Sequence, residues 1–419
     1  RSKALDYLSQ NIYEYSKEGD SGIFKELMAT VMKNKEYSKV INLMFDGAFY
    51  SAKNPILDEN VARQLYGNKE NIGITRLERF AACAFAHFLQ YGMKLTERVE
   101  YEFKPMDMGN VMHEALESFA EEVRKRGMKW TELTEQERNE IADRCLDNIV
   151  ADYGNTVLKS SARNEYMIER TRRILRRTVW ALQKQLEQGE FQPEGFEVTF
   201  GGGRIDRVDI MEDQNKVYVK VIDYKTGNTS FDLVYLYHGL QLQLMIYLDG
   251  ALRVEQKKYP DKEIIPAGVF YYNIKDPMIQ EKIDADVEAV SAGLMKELKM
   301  NGLAQADPEL VYRMDSSLGS IPVAFNKDGS FRKNSSVADR TQFAVLGRYV
   351  RTKIEKIRSS ILEGDAEVSP YELGKKNACT YCPYMTVCGF DRRLSGYEFR
   401  RLKNFSDEEL WKAFDREAE

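Results

Sequence analysis

The sequence predicts an α/β protein in which a modest sheet is set among many helices. Two observations carry this. Apolar residues recur at three- and four-residue intervals over most of the 419 residues, the period of an amphipathic helix. Around residues 196–227 and 266–277 the pattern turns instead to β-branched alternation. The layout is therefore helices, a small strand core, then helices again. Hydrophobic residues make up 43% and charged residues 30%, globular proportions that exclude a disordered or fibrous chain.

Residues 1 to about 66 read as helices, with Leu5, Leu8 and Ile12, then Phe24, Leu27, Met28 and Val31, at helical spacing. Gly19, Gly22 and Lys53-Asn54-Pro55 punctuate them. This stretch carries no catalytic pattern and reads as a helical scaffold. A sharper helix follows over 74–92 (ITRLERFAACAFAHFLQYG), capped at Thr75 and striped by Leu77, Phe80, Ala81, Ala84 and Phe88. GNVMHEALESFAEEVRKRG (109–127) is a second amphipathic helix. Residues 132–189 are strongly helical and place five arginines in the eight residues from Arg170 to Arg177. FEVTFGGGRIDRVDIM (196–211) and VYVKVIDYKTG (217–227) then read as a hairpin joined by the polar turn EDQNK. LQLQLMIYLDGAL (240–252) returns to helix, PAGVFYYNIKDP (266–277) to strand, and 341–364 to helix. A cysteine cluster precedes a last short helix after Ser406, whose spacing to Glu409 is that of a capping box. No internal repeat or low-complexity tract interrupts the pattern.

The length alone suggests two or three domains. Sixty-one Lys+Arg against 66 Asp+Glu give a formal charge of −5. That argues against a protein that coats nucleic acid over its whole surface, but not against a locally basic groove. No apolar run approaches the roughly 18 residues of a helical membrane span, so an integral membrane protein is not expected. The chain opens on Arg1 without the features of a signal peptide, so we expect a piece of a longer, cytoplasmic polypeptide. With five cysteines and no signal, a disulfide framework is not expected.

The chemistry concentrates in GRIDRVD (203–209) and VIDYKTG (221–227). Asp223 and Lys225 are two apart on one strand and share a face of the pleat. Asp223 falls among Val219, Val221 and Ile222, where a carboxylate is costly unless paired or metal-bound. With Asp206 on the neighbouring strand, a hard divalent cation would offset their repulsion, and the lysine could stabilise developing phosphorane charge. This is the chemistry of metal-assisted phosphodiester hydrolysis. Asp209 lies an odd number of residues from Asp206 and points to the opposite face of a regular strand; it is the substitute if a bulge intervenes. Two further pairs lie one helical turn apart: His113 with Glu117, and Gln243 with Tyr247.

The set Gly109-x-x-x-His113, Gly203-x-Ile205-Asp206, Asp223-Tyr224-Lys225 and Gln243-x-x-x-Tyr247, in this order, resembles the RecB-type branch of the PD-(D/E)XK nucleases. The resemblance implies a PD-(D/E)XK nuclease core, a small mixed sheet flanked by helices, here with long helical insertions. It implies that His113, Asp206, Asp223 and the backbone carbonyl of Tyr224 bind Mg²⁺ (or Mn²⁺). Lys225 would assist the attacking water, and Gln243 and Tyr247 would support the site and touch DNA.

Cys379-x2-Cys382-x5-Cys388 suggests a metal site lacking its fourth ligand, with Cys83 and Cys145 as candidates. A zinc knuckle and plain core thiols are the competing readings. One cysteine ahead of the nuclease motifs and three behind resembles the iron–sulfur "staple" nucleases, which implies a [4Fe–4S] cluster on Cys83, Cys379, Cys382 and Cys388, with Cys145 a bystander. Over about residues 65–392, ITRLERFAACAFAHFLQYGMKLTER, FYYNIKDPMI, FNKDGSFRKNSSVAD and PYELGKKNACTYCPYMTVCGFD resemble the C-terminal nuclease region of the AddB subunits of bacterial AddAB (RexAB-like) helicase–nucleases. The one departure noted is Ala84, where that family usually has Pro.

This resemblance implies a Mg²⁺-dependent deoxyribonuclease that cuts single-stranded DNA, the strand ending 5′, during double-strand break resection for recombinational repair. Its partner would be an AddA-type helicase–nuclease subunit. No GxxxxGK[ST] loop is present, so no ATPase is expected. The expected segments are a helical remnant (1–70), a nuclease domain closed by the cysteine cluster (71–395) and a helical tail (396–419). Arg173, Arg176 and Arg177 are candidate DNA contacts, against the alternative of a solvated helix paired with acids such as Glu165 and Glu169. Tyr235, Tyr237 and His238 are candidates for base stacking. The runner-up function is a nuclease-like module that binds DNA and docks a partner without cutting.

Overall fold

In the computed structural model of the chain, residues 2–18, 22–50, 56–67, 72–96, 105–152, 161–201, 203–279 and 286–418 are described. The expected breaks at Gly19 and Lys53–Pro55 lie outside them, as does Gly202. Helices α1 (Ser2–Glu18), α2 (Gly22–Met32), α3 (Ser38–Ala48) and α4 (Glu59–Tyr66) open the chain. Their amphipathic stripe does what its spacing predicts, with Leu8, Ile12, Phe24, Met28 and Val31 buried together with Ile41.

The expected helix over 74–92 is not continuous. It becomes α5 (Ile74–Ala82), α6 (Ala84–His87) and a π-helical turn (Phe88–Gly92). Cys83 sits at the break in extended conformation, φ −165° and ψ 117°. Thr75 lies inside the first turn of α5 and is not its cap. Next come α7 (Pro105–Lys125), α8 (Glu135–Asp152) and α9 (Ala162–Glu187).

The central sheet follows: β1 (Gln192–Phe200), β2 (Gly203–Asp213) and β3 (Lys216–Lys225), then α10 (Leu233–Tyr237), α11 (Gln243–Lys258), β4 (Glu263–Asn273), α12 (Val287–Glu297), β5 (Asn301–Gln305), α13 (Pro308–Met314) and β6 (Val337–Ala338). The single expected strand over 196–211 is thus two strands, because the glycine run after Phe200 offers no side chains to oppose a tight turn. β2 and β3 are joined by Gln214-Asn215 alone, a tighter turn than EDQNK, with Gln214 at φ +44°. The six strands lie in the order β1-β2-β3-β4-β5-β6. The β3–β4 and β5–β6 pairs are parallel and the rest antiparallel. α11 is the crossover that a parallel β3–β4 pair requires. β2 is buried on both faces from Ile205 to Met211, so the sheet is the middle of its unit and not a surface.

α14 (Arg340–Leu362), a three-stranded sheet of β7 (Tyr371–Leu373), β8 (Lys376–Asn377) and β9 (Arg400–Arg401), α15 (Met385–Cys388) and α16 (Asp407–Ala418) complete the chain. Before α16, Ser406 donates through its backbone N and its hydroxyl to Glu409. The chain forms two compact units. The first comprises residues 1–67, 82–95 and 360–403; the second comprises 68–81, 96–359 and 404–419. The segments expected from sequence are contiguous, whereas these units are each assembled from three stretches of chain. No helix among the described residues is long and apolar enough to cross a membrane.

Candidate active site

Everything in this site belongs to the second unit. β2 and β3 pair with Arg207 opposite Ile222, so the next pair along is Asp206 and Asp223. Cross-strand partners project from the same face, which brings the two carboxylates together. The Tyr224 amide donates to Asp206 Oδ2 at 2.7 Å. From α7, His113 Nδ1 lies 3.4 Å from the same oxygen. Gly109, one turn earlier, permits this approach, since a Cβ there would sit 3.3 Å from Thr226 Oγ1. Burial alone would lower the His113 pKa, but the hydrogen bond and charge of Asp206 outweigh it and raise it.

Asp223 is 1% exposed, and its Oδ1 has no hydrogen-bond partner among the described residues. Its Oδ2 is ion-paired with Lys225 Nζ at 2.5 Å. Burial, then repulsion from Asp206, pushes its carboxyl up to about 7.

Sequence reasoning missed Glu197. It stands on β1 at φ +48°, a conformation that costs a residue with a Cβ and clusters at functional sites. Its side chain is 8% exposed, with Oε1 3.9 Å from His113 Nδ1 and Oε2 2.5 Å from Arg204 Nε. Burial and the charge of Asp206 push it up to about 7. One ligand atom from each of His113, Glu197 and Asp206 lies within 4.8 Å of the others. Carboxylate oxygens with one imidazole, beside the buried Asp223 carboxylate, are a donor set that fits a divalent cation. Asp223 stands beside this trio and is not part of its tightest grouping of side-chain donors. Asp209 is in another place: fully buried, it pairs with Arg207 at 2.6 Å and Lys220 at 3.0 Å.

Lys225 is held from the other side. Its Nζ donates to Gln243 Oε1 at 2.8 Å, and Gln243 Nε2 donates to Tyr247 Oη at 2.9 Å. The one-turn spacing of Gln243 and Tyr247 therefore builds a relay that orients the lysine. Glu78, also missed, fixes the start of α11: its Oε1 accepts from the backbone N of Leu242 at 2.7 Å and of Gln243 at 3.1 Å. Burial pushes Glu78 up to about 7. No local pattern marks a helix cap that arrives from 164 residues away.

A profile described as the PD-(D/E)XK nuclease superfamily matches residues 71–389. The chain belongs to this superfamily. Among its relatives are the B subunits of ATP-dependent helicase/deoxyribonucleases. It is 40% identical over 441 residues to that of Lachnoclostridium phytofermentans, covering 100% of this chain and 38% of that protein. Those of Clostridium acetobutylicum and Alkaliphilus metalliredigens are each 34% identical, covering 96% and 90% of this chain and 37% and 35% of theirs. The chain thus spans a little over a third of the length of these relatives. The resemblance to B subunits of helicase–nucleases and the mixed sheet flanked by helices, both expected from sequence, hold.

The PD-(D/E)XK motifs account for the second unit; the cysteine cluster lies in the first. Cys83, Cys379, Cys382 and Cys388 line one small cavity with Phe85, Leu89 and Tyr384. Burial, then the neighbouring thiols Cys83, Cys382 and Cys388, pushes Cys379 up to about 12. Cys145 is 5% exposed on α8, where its neighbours are Ser118, Glu122, Arg144 and Arg126. Cys83 therefore joins the trio and Cys145 does not. Among the described residues the cysteine sulfurs do not gather three together within 4.8 Å, as the His113 group does.

On α9, Arg172 pairs with Asp147 at 2.7 Å and Glu169 at 3.3 Å. Arg173 pairs with Asp276 at 2.7 Å, and Arg176 donates to Asp143 at 2.8 Å. Acids on α8 and after β4 are thus the main partners, with Glu169 the contributor from the same helix. Arg177 lies over Trp180, 5.7 Å from the ring centroid. Tyr237 is not a free stacking platform. It is stacked on Tyr349 and packed edge-on by Phe405 and Phe414.

Proposed function

We propose that this chain is the nuclease region of an AddAB-type helicase–nuclease. It hydrolyses phosphodiesters of single-stranded DNA with Mg²⁺ or Mn²⁺, in the cytoplasm, during double-strand break resection, beside an AddA-type subunit. The observation that carries this is the convergence of His113, Glu197 and Asp206 beside the Asp223-x-Lys225 pair in a PD-(D/E)XK chain. A cation held by these side chains would polarise the scissile phosphate and make a water acidic. Lys225, aimed by Gln243 and Tyr247, orients the attacking water and stabilises charge developing on the phosphate oxygens. His113, at the mouth of the trio, is 30% exposed on its side chain and can face a substrate phosphate.

We extend the proposal to a [4Fe–4S] cluster on Cys83, Cys379, Cys382 and Cys388. What supports the reading is that all four thiols line one cavity, as a cluster held by cysteines alone requires. Such a cluster would close a loop of roughly 300 residues and constrain the unfolded chain accordingly.

The test is cleavage of an end-labelled oligonucleotide, with Mg²⁺ and with EDTA, by the wild type, Asp223→Ala and Lys225→Ala. Both variants should lose cutting while retaining visible absorption and iron content. Wild-type rates in both variants would refute the site, and DNA binding by a wild type that does not cut would favour the silent module. Cys83→Ser should lose iron, and Cys145→Ser should keep it.

A further inference from the structure

A groove of about 720 Å³ runs between α8, α9 and α12, away from the carboxylates. Six arginines line it against the two acids Glu135 and Glu169. Four of the six are committed. Arg172, Arg173 and Arg176 are ion-paired as described, and Arg138 donates to Gln183 at 2.6 Å. Arg170 and Arg177 have no hydrogen bond or ion pair among the described residues. Arg177 instead lies over Trp180, and the α12 side of the groove presents Val290 and Leu294.

One anchor of the groove is tied to the end of the sheet that carries the catalytic pair. Lys225 at the end of β3 pairs with Asn273 at the end of β4. Asp276, which anchors Arg173, is three residues further on, a reach of at most ~10 Å. The arginines therefore start at the same end of the sheet as Asp223 and Lys225.

We propose that this groove is a second contact site for single-stranded DNA, in which Arg170 and Arg177 grip phosphates and Trp180 stacks a base. The inference rests on the nuclease reading and extends it to how substrate is held. Guanidinium groups without ion pairs among the described residues, a half-buried indole and an apolar wall match the alternation of phosphate and base along a single strand. An acidic peptide would use the cations and leave the indole and the apolar wall idle. The ion pairs of Arg172, Arg173 and Arg176 hold α9 in place and leave the two remaining arginines to the ligand.

The experiment measures binding of fluorescein-labelled oligothymidine to the full chain carrying Asp223→Ala, in EDTA, across a salt series. Adding Arg170→Ala and Arg177→Ala should lower the slope of log affinity against log salt by about 1.4, at roughly 0.7 per phosphate. Trp180→Leu, which keeps apolar bulk, should weaken binding about 5- to 150-fold. In an otherwise unaltered chain, the two arginine changes should leave hydrolysis of bis(p-nitrophenyl) phosphate as it was. An unchanged salt slope overturns the proposal. So does a parallel loss of small-substrate hydrolysis, which would assign the arginines to the catalytic centre. If Asp223→Ala still cuts DNA, the catalytic assignment fails, while the binding comparison still decides the groove.

Discussion

Replacing Asp223 with asparagine should stabilise the metal-free protein at alkaline pH while abolishing cleavage. Asp223 is 1% exposed, its Oδ1 has no hydrogen-bond partner among the described residues, and its Oδ2 is ion-paired with Lys225. Its carboxyl is pushed from 3.8 up to about 7, chiefly by burial and then by Asp206. At roughly 1.4 kcal/mol per pH unit, that interval is worth about 4 kcal/mol between the neutral and ionised forms. Water entry and relaxation around the buried carboxylate reduce the figure, and we expect about 2 kcal/mol. The sign follows from the raised native pKa. The protonated group is accommodated below pH about 4, and its contribution is lost as pH rises through about 7. Asparagine mimics the protonated form at every pH. The gain should therefore be near zero at pH 4, grow towards pH 7 and level off above it. Urea denaturation in EDTA at pH 5 and pH 8 measures it. An Asp223→Asn protein less stable than wild type at pH 8 would refute the reasoning, because the ion pair with Lys225 would then outweigh the cost of burying the carboxylate in the metal-free state. With a divalent cation present the order should reverse, since only the wild type gains binding energy there.

Glu197→Gln should weaken Mn²⁺ binding by about tenfold or more, the scale on which even groups outside the first ligand shell matter; calorimetric titration of EDTA-treated protein that finds unaltered affinity removes Glu197 from the donor set. Glu78→Ala strips the acceptor from two backbone N–H groups at the start of α11, costing about 0.5–2 kcal/mol, and should lower kcat more than it raises KM because Gln243 no longer aims Lys225; an effect on KM alone would contradict a positioning role. Gly302→Ala would put a Cβ 2.0 Å from the Val269 carbonyl oxygen in the sheet interior, so a loss of about 3 kcal/mol is expected, and an unshifted thermal midpoint would mean that β4 and β5 pair otherwise.

The local signals read well. The helical stripe of Leu8, Ile12, Phe24, Met28 and Val31 is buried because period and burial are one property in an amphipathic helix. The one-turn pair Gln243 and Tyr247 is in contact for the same kind of reason. Asp209, odd in spacing from Asp206, lies apart from it in the company of Arg207 and Lys220. The misses are where chain geometry departs from a regular element. Cys83 breaks a helix that periodicity continues, and the glycines after Phe200 split a strand that alternation joins. Glu197 owes its place to a positive φ that its neighbours in sequence do not announce. Glu78 acts across 164 residues of chain.

By itself, the sequence determined the residue types of the site, their order, and which of them share a helix turn or a strand face, since those follow from periods of 3.6 and 2. Tertiary structure alone decided which acids meet. The register that sets Arg207 against Ile222 aligns Asp206 with Asp223, and a slip of one residue would have sent one of them to the other face. It likewise decided that Cys83, not Cys145, joins the other three cysteines, and that Arg172, Arg173 and Arg176 are ion-paired while Arg170 and Arg177 have no ion pair among the described residues. Pairing across distant segments depends on how packed elements close on one another, and no local period encodes that.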